Sequence, residues 1–360
     1  MNNFEEIFFS LLRSAIWDTP VVLPRSLSAK EWNYIYATSN EQTVTGIMLD
    51  AISKLPTEQK PPKELLLKWI LQQKAIEAQN AKMNKVLTEL TEDLRKNNIQ
   101  AYILKGQSVA QNYPYPKHRV CGDIDIFFKE MELEKAVKHL ASLGCKIYGN
   151  PNETHHETSY KGISLELHKK STTFFTNRLQ KEYNRITLEI LERERQVITI
   201  DGKEIDVFPY AANSLQLLSH MLRHIITSGI GLRQVCDWVL YTNKYLNDEN
   251  KEEFLENLKI LELLQTYKAI SAIASDYLGL PKEKVICNIS AKDKKIAKKV
   301  LTIIMKYGNF GHYGEHSRIT SKWDYIKVFV WKIGNCIRLH KLAKSETRNY
   351  PLWKYHFVSD

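Results

Sequence analysis

The run Gly122-Asp123-Ile124-Asp125-Ile126-Phe127-Phe128 constrains the fold of this chain more than any other segment. Apolar Ile124, Ile126 and Phe128 alternate with Asp123, Asp125 and Phe127, the period of a strand. On a strand, residues two apart face the same way, so the two carboxylates lie side by side, roughly 6 to 7 Å apart at Cα. Such neighbours repel, and aspartate is a poor strand former. The pair becomes favourable when a divalent cation sits between them. Mg²⁺ is a hard ion that takes oxygen ligands and shares its shell with substrate phosphates.

A third carboxylate from a neighbouring strand would complete a two-metal site. In Ile163-Ser164-Leu165-Glu166-Leu167-His168 the apolar residues face one way, and Ser164, Glu166 and His168 face the other. Glu166 is the preferred candidate. Asp206, in Lys203-Glu204-Ile205-Asp206-Val207, also alternates with apolar neighbours and is its competitor.

Opposite charge precedes the aspartates. Ile99 to Leu104 is a short apolar run closed by the turn Lys105-Gly106-Gln107-Ser108, after which one or two helical turns reach Pro114 and Pro116. A glycine turn opening a helix presents free backbone N–H groups, a seat for phosphate oxygens. Ser108 would add a hydroxyl, and Lys105 or Arg119 a positive charge. Each signal is weak alone. Their order gives them weight: strand, glycine turn, short helix, Asp-x-Asp strand, then a strand carrying Glu.

Around this unit the pattern is helical. Ser28-Ala29-Lys30-Glu31 fits a capping box, followed by Trp32, Ile35 and Tyr36. From Pro62 to Lys96, Leu66, Trp69, Ile76, Met83, Leu87, Leu90 and Leu94 mark a long amphipathic helix that stops at Asn97-Asn98. Glu130 to Leu143 reads as helix. Lys146 to Tyr148, His155 to Tyr160 and Ile163 to His168 read as strands, and 197–200 with 204–207 as a hairpin turning at Asp201-Gly202. From Asn213 onward the chain is mostly helical, with a long amphipathic stretch from Trp323 to Leu342. The expectation is an α+β protein: a helical region at 1–97, a small mixed-sheet core at 98–210 and a second helical region at 211–360.

Composition sets outer bounds. The chain has 360 residues and a net charge of +10, much of it in C-terminal lysines and arginines. That excess reads as a solvated helix face, with a nucleic-acid or polyphosphate partner as the other reading. Five scattered cysteines form no Cys-x-x-Cys pair, as in a reduced cytosolic protein. The first residues suggest an amphipathic helix and not a signal peptide, and no apolar run approaches the ~20 residues that span a bilayer. A cytoplasmic location with no membrane span is expected.

The string Leu104-Lys105-Gly106, Tyr113-Pro114-Tyr115-Pro116 to Arg119, Gly122-Asp123-Ile124-Asp125 and Glu166-Leu167-His168 resembles the nucleotidyltransferase superfamily with the DNA polymerase β-type palm. Within it, the string is closest to a bacterial branch whose members are known only as nucleotidyltransferase family proteins. That branch also carries a helical part like 217–238, with His220, His224, Gly231, Leu232, Arg233 and Asp237 in the matching places. The likeness covers most of residues 20 to 245. The superfamily's usual turn is Gly-Gly or Gly-Ser, whereas Lys105 takes the first place here. The third carboxylate is Glu where many relatives have Asp.

The resemblance implies a polymerase β-type core in which Asp123 and Asp125 hold two Mg²⁺ ions, with Mn²⁺ as a substitute, and Glu166 shares the ion on the nucleophile side. An acceptor hydroxyl then attacks the α-phosphorus of a nucleoside triphosphate such as ATP. Lys105, Gly106, Gln107, Ser108, Arg119 and His168 form the nucleotide-binding set, with Ser108 and the Gly106 turn on the departing pyrophosphate. The acceptor is open: small molecule, sugar, protein or RNA. Two rivals remain, a catalytically inactive nucleotide sensor and an RNA-binding protein driven by the basic C-terminal helix.

Other residues were weighed against packing roles. His168 either contacts nucleotide, orients Glu166 or makes a structural hydrogen bond. His155-His156 face opposite ways on a strand. His220 and His224 share a helix face without the Glu of a zinc motif. Arg223 and Arg233 are within reach of phosphate, although Arg233 with Asp237 at i+4 is an ordinary helix pair. The glycine- and histidine-rich stretch 308–318 reads as a connector or a lid.

Overall fold

The computed structural model describes residues 3–149, 155–247, 249–309 and 322–356. Helices α1 (Asn3–Trp17), α2 (Ala29–Glu41), α3 (Thr45–Ser53) and α4 (Lys63–Lys96) come first. The capping box at Ser28 is present: the Glu31 N–H donates to Ser28 Oγ at 3.3 Å, and the Ser28 N–H donates to the Glu31 carboxylate at 2.8 Å.

The middle of the chain runs β1 (Tyr102–Leu104), α5 (Gly106–Ala110), β2 (Ile124–Phe127), α6 (Glu130–Ser142), β3 (His155–Tyr160), β4 (Ile163–His168), α7 (Asn177–Arg193), β5 (Gln196–Ile200) and β6 (Lys203–Val207). It continues as α8 (Tyr210–Thr227), α9 (Leu232–Tyr245), α10 (Lys251–Ile260), α11 (Leu264–Leu278), α12 (Ala291–Tyr307), α13 (Lys322–Leu339) and α14 (Lys344–His356). Among the described residues no helix is long and apolar enough to cross a membrane.

The strands form one mixed sheet in the order β3-β4-β2-β1-β6-β5, so the fold is α+β with helices before and after it. The β4-β2 and β1-β6 pairs are parallel and the other neighbours antiparallel. Alternation decides what each face buries. Ile103, Ile124, Ile126, Phe128, Leu165 and Leu167 pack with α4 (Met83, Leu87, Leu90) and α6 (Leu133, Leu140) in one apolar cluster. Tyr102, Leu104, Phe127 and Phe208 point the opposite way, into a larger core shared with the C-terminal helices. β2 is thus buried on both faces, and Asp125 lies on the second one.

Two predicted strands shrink. Of Ile99 to Leu104 only Tyr102–Leu104 pairs, because the Gln100 N–H is taken by the Glu132 side chain at 3.0 Å. Lys146 to Tyr148 reduces to a single bridge between Tyr148 and Glu157, since Gly149 with φ 121° turns the chain away. At the 196–207 hairpin, Asp201 and Gly202 take φ 46° and 78°, as a two-residue turn with both centres left-handed requires. Most of the 308–318 stretch lies outside the described residues.

A close approach fixes the segment before β2. An added Cβ at Gly46 in α3 would lie 2.1 Å from the His118 carbonyl oxygen, in the 3₁₀ turn Pro116–His118. Backbone cannot yield as a side-chain tip can. Gly46→Ala is therefore expected to cost on the order of 1–3 kcal/mol, read as a lowered denaturation midpoint. An unchanged midpoint would show that the α3 contact is not tight.

Candidate active site

Register assembles the site. β2 and β4 pair Asp125 with Glu166 and Phe127 with His168, while β1 and β2 pair Leu104 with Asp125. Lys105, one residue beyond β1, therefore reaches the same carboxylate, and its Nζ lies 3.0 Å from Asp125 Oδ1. His168 Nε2 lies 2.8 Å from the same oxygen and 3.1 Å from Glu166 Oε2. With Asp123, these groups line a cavity of about 490 Å³ between the sheet and helices α8 and α9.

The turn is strained as well as charged. Lys105 adopts φ 42°, ψ −142°, and Gly106 φ 36°, so two successive residues occupy space that favours glycine. A lysine held there is a local cost of order 1–3 kcal/mol. It sets Nζ against Asp125 and opens α5 directly beside the carboxylates.

Burial and mutual charge separate the three acids. Burial, followed by the charges of Asp125 and Glu166, raises Asp123 from 3.8 to about 6. Burial pushes Asp125 the same way, but the Lys105 ammonium and His168 outweigh it and hold its pKa below the usual carboxylate range. The His168 hydrogen bond lowers Glu166 despite its burial and the Asp125 charge. His168 itself is pulled down by burial, yet its bonds to Asp125 and Glu166 leave it above an ordinary histidine. His155, Glu166 and His168 also bring one ligand atom each within 4.8 Å of one another.

Three members of the expected nucleotide-binding set have other partners. Ser108 Oγ donates to the Lys105 carbonyl at 2.6 Å, a local bond that caps the turn. Gln107 turns its amide into α4, donating to Asn80 Oδ1 and Asn84 Oδ1 at 3.2 Å each. Both side chains are buried and neither lines the cavity. Of α5 only Gly106, its first residue, lines the cleft.

Arg119 does reach the wall, but its guanidinium is committed. Nε and Nη2 donate to Asp237 Oδ1 and Oδ2 at 2.7 and 2.6 Å, and Nη1 donates to the Val120 carbonyl. Both partners are at most 4% exposed. This corrects the helix pairing of Arg233 with Asp237. Asp237 instead accepts from Arg119 and from the Tyr113 hydroxyl at 2.8 Å, and Arg233 Nη1 donates to the Val120 carbonyl at 2.6 Å. The residues from Tyr113 to Val120 are thereby clamped between α9 and Asn80 of α4, whose amide bonds the Lys117 and Arg119 carbonyls.

Asp206 is on β6, ion-paired to Arg95 and Arg195, and does not line the cavity. The opposite wall is α8. His220 lies well below an ordinary histidine, from burial and then the Lys105 charge, and His224 falls to about 3 from burial and the Arg223 charge. Lys170 and Thr172, directly after β4, also line the cleft. Sequence reasoning passed over them, although the Lys-Lys pair behind Glu-Leu-His was visible.

These observations define a class first: an α+β protein whose central strands gather acidic side chains into a cleft walled by basic helices. The family is narrower. The family described as "uncharacterised nucleotidyltransferase" matches residues 28–279, well over half the chain, and the protein belongs to it. Among solved structures, an antigenic nucleotidyltransferase-like protein from Paracoccidioides brasiliensis is similar at 15% identity, with 55% of this chain and 92% of that chain covered and a TM-score of 0.35. None of the curated proteins compared with the chain matches it.

Proposed function

We propose that the protein transfers a nucleoside monophosphate from a nucleoside triphosphate to an acceptor hydroxyl, releasing pyrophosphate. The supporting observation is the convergence of Asp123, Asp125 and Glu166 on one cleft, with Asp123 raised to about 6 by burial and the other two charges. Lys105 and His168 offset part of that negative charge at Asp125, and three hard oxygen donors suit Mg²⁺ or Mn²⁺. A bound divalent ion supplies neutralisation of the phosphates and a lowered pKa for the acceptor hydroxyl.

The chain's own part is positioning and charge. Asp123 and Asp125 would hold the ions, Glu166 would serve the acceptor side, and the Gly106 turn would offer backbone N–H groups to the triphosphate. His168 orients Asp125 and Glu166 through one shared nitrogen. The acceptor oxygen bonds to the α-phosphorus as its proton passes to solvent, the α-phosphorus–oxygen bond to the β-phosphate breaks, and pyrophosphate departs. Residues 98–210 are the transferase core in this reading, and 1–97 and 211–360 supply its walls. The resemblance of its Lys-Gly, Gly-Asp-Ile-Asp and Glu-Leu-His strings to those of the bacterial branch supports this reading.

A second reading, a nucleotide sensor without transfer, draws on Lys105 and His168 already sharing one oxygen of Asp125. Incubation with α-labelled triphosphates, Mg²⁺ and cell lysate separates the two. Transfer is expected to label an acceptor, and Glu166→Gln to slow labelling by about 100-fold or more. Nucleotide that binds without ever labelling an acceptor establishes the sensor.

A further inference from the structure

We infer that Arg223, Lys170 and Thr172 form a receptor for a phosphate group carried by the acceptor. This rests on the transferase reading and narrows its acceptor to a phosphorylated hydroxyl compound.

Location comes first. In the sheet, β2 separates β1 from β4, so the Lys105-Gly106 turn and the segment after β4 flank the aspartates on opposite sides, two strand spacings or about 10 Å apart. Lys170 and Thr172 follow β4 directly, and Arg223 of α8 lines the same cavity. Glu166 is the site carboxylate whose charge Arg223 feels. A triphosphate seated at the Gly106 turn therefore leaves this end of the cleft to the other substrate.

The second point is unmet bonding. Lys105 is engaged with Asp125 and Arg119 with Asp237, while Arg233 bonds the Val120 carbonyl through Nη1 and leaves its buried Nε without a partner among the described residues. Arg223 is half-buried and Lys170 likewise, and neither has an ion pair or hydrogen bond among the described residues. Burial lowers the Arg223 pKa, and the Tyr350 and Glu166 charges only partly offset it. Thr172 is 5% exposed, and its hydroxyl has no partner. Other buried polar atoms, such as Trp238 Nε1, also lack partners among the described residues, but Thr172 and Arg233 are the ones that line this cavity.

The third point is stoichiometry. A guanidinium, an ammonium and a hydroxyl offer more donors than the two oxygens of a carboxylate accept. They suit the three terminal oxygens of a phosphate monoester, for which arginine supplies paired donors.

Calorimetric titration of inorganic phosphate tests the receptor, using full-length protein saturated with Mg²⁺ and a non-hydrolysable ATP analogue. Phosphate is expected to bind, and acetate at least tenfold more weakly. Arg223→Gln is expected to weaken phosphate by about 10-fold or more, and Thr172→Val by a few-fold. Affinity for the nucleotide analogue should change less than twofold in both variants. Thr172→Val keeps shape and removes only the orphan hydroxyl, so its melting temperature guards against misfolding.

Absence of phosphate binding to the nucleotide-loaded protein, or binding indifferent to both substitutions, overturns the inference. So does a matching loss of nucleotide affinity in Arg223→Gln, which would assign the guanidinium to the triphosphate. Failure of the analogue itself to bind wild-type protein sinks the transferase reading. A phosphate titration in EDTA without nucleotide then reads the receptor separately.

Discussion

Asp123→Asn is expected to lower nucleotide transfer on the order of a thousandfold while making the metal-free protein more stable. The two effects share one cause. The Asp123 carboxyl titrates at about 6 in the folded chain, against an ordinary 3.8, because burial and two neighbouring acids disfavour its charge. Between those pH values the folded state binds more protons than the unfolded state, so stability falls as pH rises through this window and stays low above it. Asparagine does not titrate. In EDTA at pH 8 the variant should gain on the order of 1–2 kcal/mol, discounted for partial solvent exposure, and the gain should vanish near pH 4. Transfer at the wild-type rate in Asp123→Asn would end the metal assignment. An unchanged pH 8 midpoint would show that the three carboxylates do not strain one another.

Arg119→Met carries the largest expected stability cost. It strips Asp237, 3% exposed, of a bidentate partner and leaves a buried carboxylate with only Tyr113. Breaking a buried pair by removing one member costs about 3–5 kcal/mol. The double variant Arg119→Met, Asp237→Leu should recover part of that, since the buried carboxylate is gone while the Arg233 guanidinium loses the opposing charge of Asp237. Denaturant midpoints of the two variants check this. If Arg119→Met were as stable as wild type but bound nucleotide weakly, the guanidinium would be a phosphate ligand after all.

What the sequence discloses here follows from geometry that is local along the chain. Period two assigns Ile163, Leu165 and Leu167 to one face and Glu166 and His168 to the other, and the structure keeps that division because α4 and α6 cover the apolar face. The same rule places Asp123 and Asp125 at the end of β2, beside a turn whose glycine has positive φ.

Helical faces and distant partners are not readable in this way. A five-residue helix such as α5 has no periodicity to show that Gln107 faces α4 and Ser108 caps its own turn. Asp237 sits four residues from Arg233, yet it is taken by Arg119, 118 positions away. That Arg223 lines the same cavity as Lys170 and Thr172 likewise depends on how α8 docks on the sheet.

The last described helix reaches back to the cleft. Glu346 of α14 accepts from the Phe175 and Thr176 N–H groups at 2.8 and 3.0 Å, and Tyr350 packs on the Phe175 ring at 4.7 Å. Those residues directly follow the wall formed by Lys170 and Thr172. Prying α14 away, by a protease nick or a bulky fusion pulling on it, would thus slacken the rim of the cavity. A label attached to α1, none of whose residues line the cleft, leaves that strut untouched.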